Sequence, residues 1–176
     1  HTWSTEYEKQ LENEYRPVSS LVESQPHFSD DPRLQAIYCR WLSTKKVLDL
    51  VNKSGKEYDF VLLTRFDIAF LVNFEFNNFD NTKFYAQGPP GPKTHNFHLV
   101  NDLWFFANQE NMSKFSNLWD RLETPEYQKC IMAGGNHELA RKHLIEIGLN
   151  DNLEYYLSRE WTGAPGKLST ETPLIR

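Results

Sequence analysis

Tyr58–Phe70 reads YDFVLLTRFDIAF. Phe60, Val61, Leu62 and Leu63 form a short apolar block rich in β-forming residues, the length of a buried strand. Thr64-Arg65-Phe66-Asp67 interrupts that block with a cation and a carboxylate, and Ile68-Ala69-Phe70-Leu71 resumes it. A buried strand holds charges only where they are paired or used. Two readings stay open. Arg65 and Asp67 are i, i+2 neighbours and can form a structural ion pair on one strand face. Alternatively, the strand delivers a carboxylate to a metal and a guanidinium to a phosphate. Open α/β sheets collect ligands outside the carboxyl ends of their strands.

The chain leading into this strand predicts a helix. Asp30-Asp31-Pro32 offers two capping carboxylates and a proline for the first turn. Leu34, Ile37, Tyr38, Trp41, Leu42, Leu48 and Val51 then mark one apolar stripe, and Gly55 closes a helix from Pro32 to Lys53. Arg40 and Lys45 lie off the stripe and are expected in solvent. Helix, glycine turn and buried strand make half of a βαβ unit. Further upstream, residues 4–15 are polar with helical spacing, and Pro17 ends them. The opening His1-Thr2-Trp3-Ser4 reads as the exit of a strand that begins before the chain does.

Downstream, Asn73–Asn81 reads as a loop anchored by Phe74, Phe76 and Phe79, and Lys83–Ala86 as a short strand. Gly88-Pro89-Pro90-Gly91-Pro92 excludes regular structure, and loops of that kind border sites. Lys93, His95 and His98 follow it with polar, partly basic chemistry. Leu99–Ala107 reads LVNDLWFFA. Its Asn101-Asp102 either forms an Asx turn into a strand or places a carboxylate where a general base is needed. Asn111–Leu122 predicts an amphipathic helix that Thr124-Pro125 ends. Gly134-Gly135 permits a sharp turn or a close backbone approach. Asn136 is then expected to cap a helix from His137 to Ile147. His137 falls in its first turn, at the positive end of the helix dipole, where phosphate is favoured; His143 is expected exposed. The tail holds one short element near Leu153–Tyr156. The coarse order is that of an α/β chain with helices outside a mixed sheet.

Composition bounds the function. With 176 residues the chain is one domain, 1–176, and its 12 Phe, 8 Tyr and 5 Trp supply a core. A net charge of −5 leaves no basic stripe for nucleic acid. An anionic ligand would therefore need local help from an Arg, a Lys or a cation. Cys39 and Cys130 form no metal or redox pattern. No apolar run reaches the ~18 residues of a membrane span, and no signal peptide is visible, so a cytoplasmic location is expected.

HTW at the start, YDFVLLTRFDIAF after a helix, NDLWFFA before a helix, and NHELARKHL with a terminal LIR, in that order, resemble small GT-A-type glycosyltransferase-like proteins. That group occurs in capsular polysaccharide loci and large-virus genomes. The resemblance implies a GT-A-like three-layer sandwich with a mixed, mainly parallel sheet flanked by helices, truncated here before HTW. It implies transfer of a sugar from a nucleotide-sugar donor to a glycan acceptor hydroxyl, assisted by Mn2+ or Mg2+. On that pattern Asp67 looks like the metal carboxylate, with His137 completing the site ahead of His143, His98 and His95. The family's two acids flanking one residue become Arg65-Phe66-Asp67 here, so Arg65 replaces the first acid and can neutralise diphosphate directly, with Lys93 helping. Asp102 is the candidate base of an inverting reaction. Two rival readings are a non-catalytic nucleotide- or sugar-binding domain on the same fold, and an α/β interaction module that binds protein through exposed aromatics such as Trp104 or Trp161.

Overall fold

The computed structural model describes residues 5–65, 68, 74–87 and 100–156. Helix α1 (Thr5–Tyr15) precedes α2 (Pro32–Lys53), β1 (Val61–Thr64), β2 (Phe84–Ala86) and β3 (Trp104–Ala107). Helices α3 (Gln109–Ser116), α4 (Pro125–Gly134) and α5 (Asn136–Glu146) follow, and β4 (Leu153–Tyr155) comes last. The chain is α/β with a small mixed sheet of four strands in the order β1-β3-β2-β4. β3 runs antiparallel to both its neighbours, β1 and β2, whereas β2 and β4 are parallel. β1, β2 and β4 therefore point the same way.

The two inner strands, β2 and β3, are buried on both faces, which is why β3 reads as an unbroken apolar run. Alternate residues serve two separate clusters. Leu63, Phe84, Ala86, Phe105 and Ala107 pack beneath α2–α5 with Ile37, Trp41, Met112, Phe115, Tyr127, Ile131, Leu139 and Leu144. Tyr85, Trp104 and Phe106 face the other way, where Phe60, Phe74, Phe76, Phe79 and Ile68 cover them. That covering is the aromatic-anchored loop expected at 73–81. Its rings meet edge to face, as Phe79 does on Phe106 at 4.8 Å, or stacked, as Phe60 does on Phe76 at 5.7 Å. Trp104, weighed above as an exposed contact residue, is wholly buried in this second cluster; Trp161 lies outside the described residues.

Helix α2 runs over the residues the stripe predicts, capped by the Asp31 carboxylate, which accepts from the main-chain N–H groups of Arg33 and Leu34. Two elements and one side chain differ from expectation. The helix expected at 111–122 is α3 capped by Asn108, whose side chain accepts from Asn111 N at 2.8 Å, followed by a separate 3-10 turn at Trp119–Arg121. Thr124-Pro125 begins α4 as well as ending the preceding segment, because a proline fits the first turn of a helix as readily as it stops one. His143 is buried, at 2 % exposure. It lies four residues after Leu139 and three after Ala140, on the inward face of α5. Its Nε2 meets Lys114 O at 3.3 Å and its Nδ1 meets the Tyr127 hydroxyl at 2.7 Å, so both ring nitrogens are satisfied without solvent. Cys39 and Cys130 are both free thiols.

Candidate functional site

β1 and β2 end on the same side of the sheet, and β3 begins there. Thr64 pairs with Trp104 and Ala86 with Phe105. Arg65 and Gln87 therefore leave the sheet beside Asn101-Asp102, which enters it. Asn101 is locked to the end of β2 twice. Its side-chain amide donates to Gln87 Oε1 at 2.8 Å, and its main-chain N–H donates to Gln87 O at 3.3 Å. Both side chains are buried, which fixes the mouth of β3 and with it the start point of Asp102.

Two helices close this edge. From α2, the Arg40 guanidinium donates to Asp102 O at 2.8 Å. Arg40 was expected in solvent. It lies three residues after Ile37 and four before Thr44, both buried, so it borders the inward stripe and reaches the strand mouth from there. From α5, His137 approaches at the first turn. Its Nδ1 is 3.1 Å from Val100 O and 3.7 Å from Asp102 Oδ1. Both neighbours are acceptors, so Nδ1 is the nitrogen that donates here, and Nε2 is the one left to face a ligand. The His137 side chain is 37 % exposed and that of Asp102 10 %. The imidazole thus faces outward while the carboxylate is recessed behind it.

The turn that delivers His137 depends on Gly135, at φ 63° and ψ −136°, which joins α4 directly to α5. Asn136 does not cap α5 as expected. It is the helix's first residue, and its Oδ1 accepts from the Trp41 indole N–H at 2.9 Å. That bond ties the first turn of α5, and so His137, to the middle of α2.

Among the residues singled out from the sequence, Asp102 and His137 are thus brought together, and half-buried Arg65 follows β1 at the same end of the sheet. Asp67, Lys93, His95, His98, Arg176 and the Gly88–Pro92 loop lie outside the described residues. His143 is remote from this edge in its contacts, held between α3 and α4. Among the described residues, no group of three or more His, Cys, Asp and Glu side chains could hold a metal ion. Among the described residues, His137 offers the arrangement of a metal-ligating imidazole, with Nδ1 engaged by a carbonyl and a carboxylate nearby. No helix among the described residues is long and apolar enough to cross a membrane.

No family model, curated protein or solved structure matches the chain.

Proposed function

We propose that this chain is a GT-A-like glycosyltransferase domain that moves a sugar from a nucleotide-diphosphate donor to a hydroxyl of a glycan acceptor. The observation that carries the reading is the meeting of Asp102 and His137 at the strand-end edge that Arg65 also occupies. Strand ends of this kind are where α/β sheets take nucleotides. In an inverting reaction Asp102 accepts the acceptor's proton as the hydroxyl oxygen attacks the anomeric carbon. The bond from that carbon to the diphosphate oxygen breaks, and the charge left on the diphosphate is balanced by Arg65, with Lys93 in support. In a retaining reaction Asp102 orients the acceptor or donor instead. A divalent cation, Mn2+ or Mg2+, would be held by Asp67 and by His137 through Nε2, and would supply Lewis-acid stabilisation of the leaving diphosphate.

A transfer assay with the intact chain and Asp102→Asn and Asp67→Ala variants tests this. Losing a positioned general base lowers turnover by about 10²–10⁴-fold. Asp102→Asn is expected to fall in that range while still binding donor. Turnover unchanged in both variants would refute the site.

One observation favours a second reading, a non-catalytic nucleotide- or sugar-binding domain. The contacts of Asp102 and His137 also serve as structural ties, fastening residues 100–102 to α2 and α5. On that reading donor binds but is never turned over, by any variant.

A further inference from the structure

The opposite end of the sheet carries an open groove of about 590 Å³, within the ~300–1,000 Å³ span of small-molecule sites. It lies between the segment entering β1 and the 3-10 turn at Phe76–Asn78 with the bend that leads into β2. Neither the strand-end pair nor Arg65 lines it, so it is a second place on the molecule.

Its walls combine two chemistries. Phe60, Phe76 and Phe79 are half-buried and Tyr58 is 37 % exposed, giving aromatic surface along the groove. Phe60 and Phe76 are stacked at 5.7 Å with their planes 28° apart, and Phe60 also packs edge-on against Phe106, so this wall is backed by the core. Between the rings stand two carboxylates, Asp59 and Asp80, and two amides, Asn77 and Asn81, all on exposed residues. Asp80 is preorganised: its Oδ1 accepts from Thr82 N at 2.8 Å and Thr82 Oγ1 at 2.7 Å. Those bonds hold its carboxyl below the usual carboxylate range, so it stays ionised, and Oδ2 is left to accept.

The combination selects a ligand class. Among the described residues no cationic side chain lines the groove, although Lys83 lies near enough to Asp80 to act on its charge, so two carboxylates disfavour phosphates, nucleotides and acidic sugars. A wholly apolar ligand would cover Asp59, Asn77, Asn81 and Asp80 Oδ2 without offering any of them a hydrogen bond. A neutral pyranose satisfies both halves. Its C–H face lies on aromatic rings, its hydroxyls donate to carboxylates and amide oxygens, and they accept from amide N–H groups. We infer that this groove is a binding site for a neutral carbohydrate, separate from the strand-end site. The inference does not depend on the transferase reading, because it concerns binding alone.

Amide NMR titration of the full chain with maltotriose, mannotriose and chitotriose tests it, alongside choline as a cationic probe for the same aromatic wall. The expected result is saturable binding of at least one trisaccharide that shifts amides within 58–60 and 76–81. Tyr58→Ala and Asn77→Ala, both at exposed positions, should each weaken it by about tenfold, the loss of one stacking face or one hydrogen-bonding group. Asp102→Asn should leave that affinity unchanged. Saturation by none of the sugars overturns the inference. So does binding that shifts only residues 100–102, or binding of choline in place of every sugar, which would make the groove a cation cage.

Discussion

Two histidines on one helix meet opposite fates, and the difference is set by where each falls on α5. His137 is in the first turn, at the sheet edge, with its side chain half-buried. His143 is on the inward face, and burial pushes its pKa from the ordinary value of 6.5 down to about 4. Its Nδ1 lies 2.7 Å from the Tyr127 hydroxyl oxygen and its Nε2 3.3 Å from Lys114 O. Tyr127 also reaches Glu146 Oε2 at 2.7 Å, and Arg121 and Lys142 face the same carboxylate. The Tyr127 hydroxyl is itself held in the protonated form, its pKa raised by burial first and then by the Glu146 carboxylate. The sign of the linkage follows. Between pH 6.5 and about 4 the unfolded chain takes up a proton on His143 that the folded chain refuses. Stability is therefore fully present above pH 6.5 and lost as pH falls toward 4, by about 3 kcal/mol for this group. Urea unfolding at pH 7 and pH 5 checks this: the midpoint should drop at pH 5 in the native sequence. Tyr127→Phe strips the buried His143 Nδ1 of its partner and should cost about 1–3 kcal/mol at pH 7. An equal midpoint at both pH values would show that His143 is not held neutral. His143 was expected in solvent although its spacing to Leu139 and Ala140 turns it inward, because a titratable residue there needs partners, and those come from α3 and α4, distant in sequence.

At the scale of elements, α2 and the junction between α4 and α5 decide whether the strand-end site is assembled. The bounds of α2 were readable because a capping carboxylate, a first-turn proline and a long apolar stripe all agree. Asp31→Ala removes the acceptor for two main-chain N–H groups and should cost about 1 kcal/mol. Gly135 carries a positive φ that side chains avoid, so Gly135→Ala should cost about 1–3 kcal/mol. It should also disturb the approach of His137 to Val100. Shifts in denaturation midpoint at constant slope measure both; a neutral Gly135→Ala would mean that the junction is not tightly fixed. Helix α4 was missed because Thr124-Pro125 is ambiguous locally: the same dipeptide ends one segment and begins another. What resolves it is the burial of Tyr127 and Ile131, four residues apart, against a core no local pattern displays.

At the scale of the whole molecule, the mixed sheet divides the chain's chemistry between its two ends. The carboxyl ends of β1 and β2 gather Arg65, Gln87, Asn101, Asp102 and His137. The amino ends gather the aromatic and carboxylate groove. The α/β class was visible in the alternation of helical and strand patterns, and Asp102 in the break of charge within an apolar run. The order of the strands was not visible. Whether β3 lies between β1 and β2 depends on pairings across long sequence separations, and so does the meeting of Asp102 with a histidine 35 residues later. Arg40 was assigned to solvent for the same reason: its partner is a carbonyl 62 residues away. Fold class and function are different levels of inference, and sites, not folds, specify chemistry. The decisive quantity is therefore occupancy of the strand-end site by a nucleotide-sugar. A thermal-shift panel of UDP-, GDP- and dTDP-sugars, each with manganese, magnesium or EDTA, measures it. A ligand at ~100 times its dissociation constant adds about 2.7 kcal/mol of apparent stability. The expected result is a shift with one nucleotide class that Asp102→Asn retains and Arg65→Ala diminishes. Loss of that shift in EDTA would assign the diphosphate to a cation at Asp67 and His137, and its persistence would assign it to Arg65. No shift with any nucleotide-sugar, under any of the three conditions, would contradict a donor site at this edge.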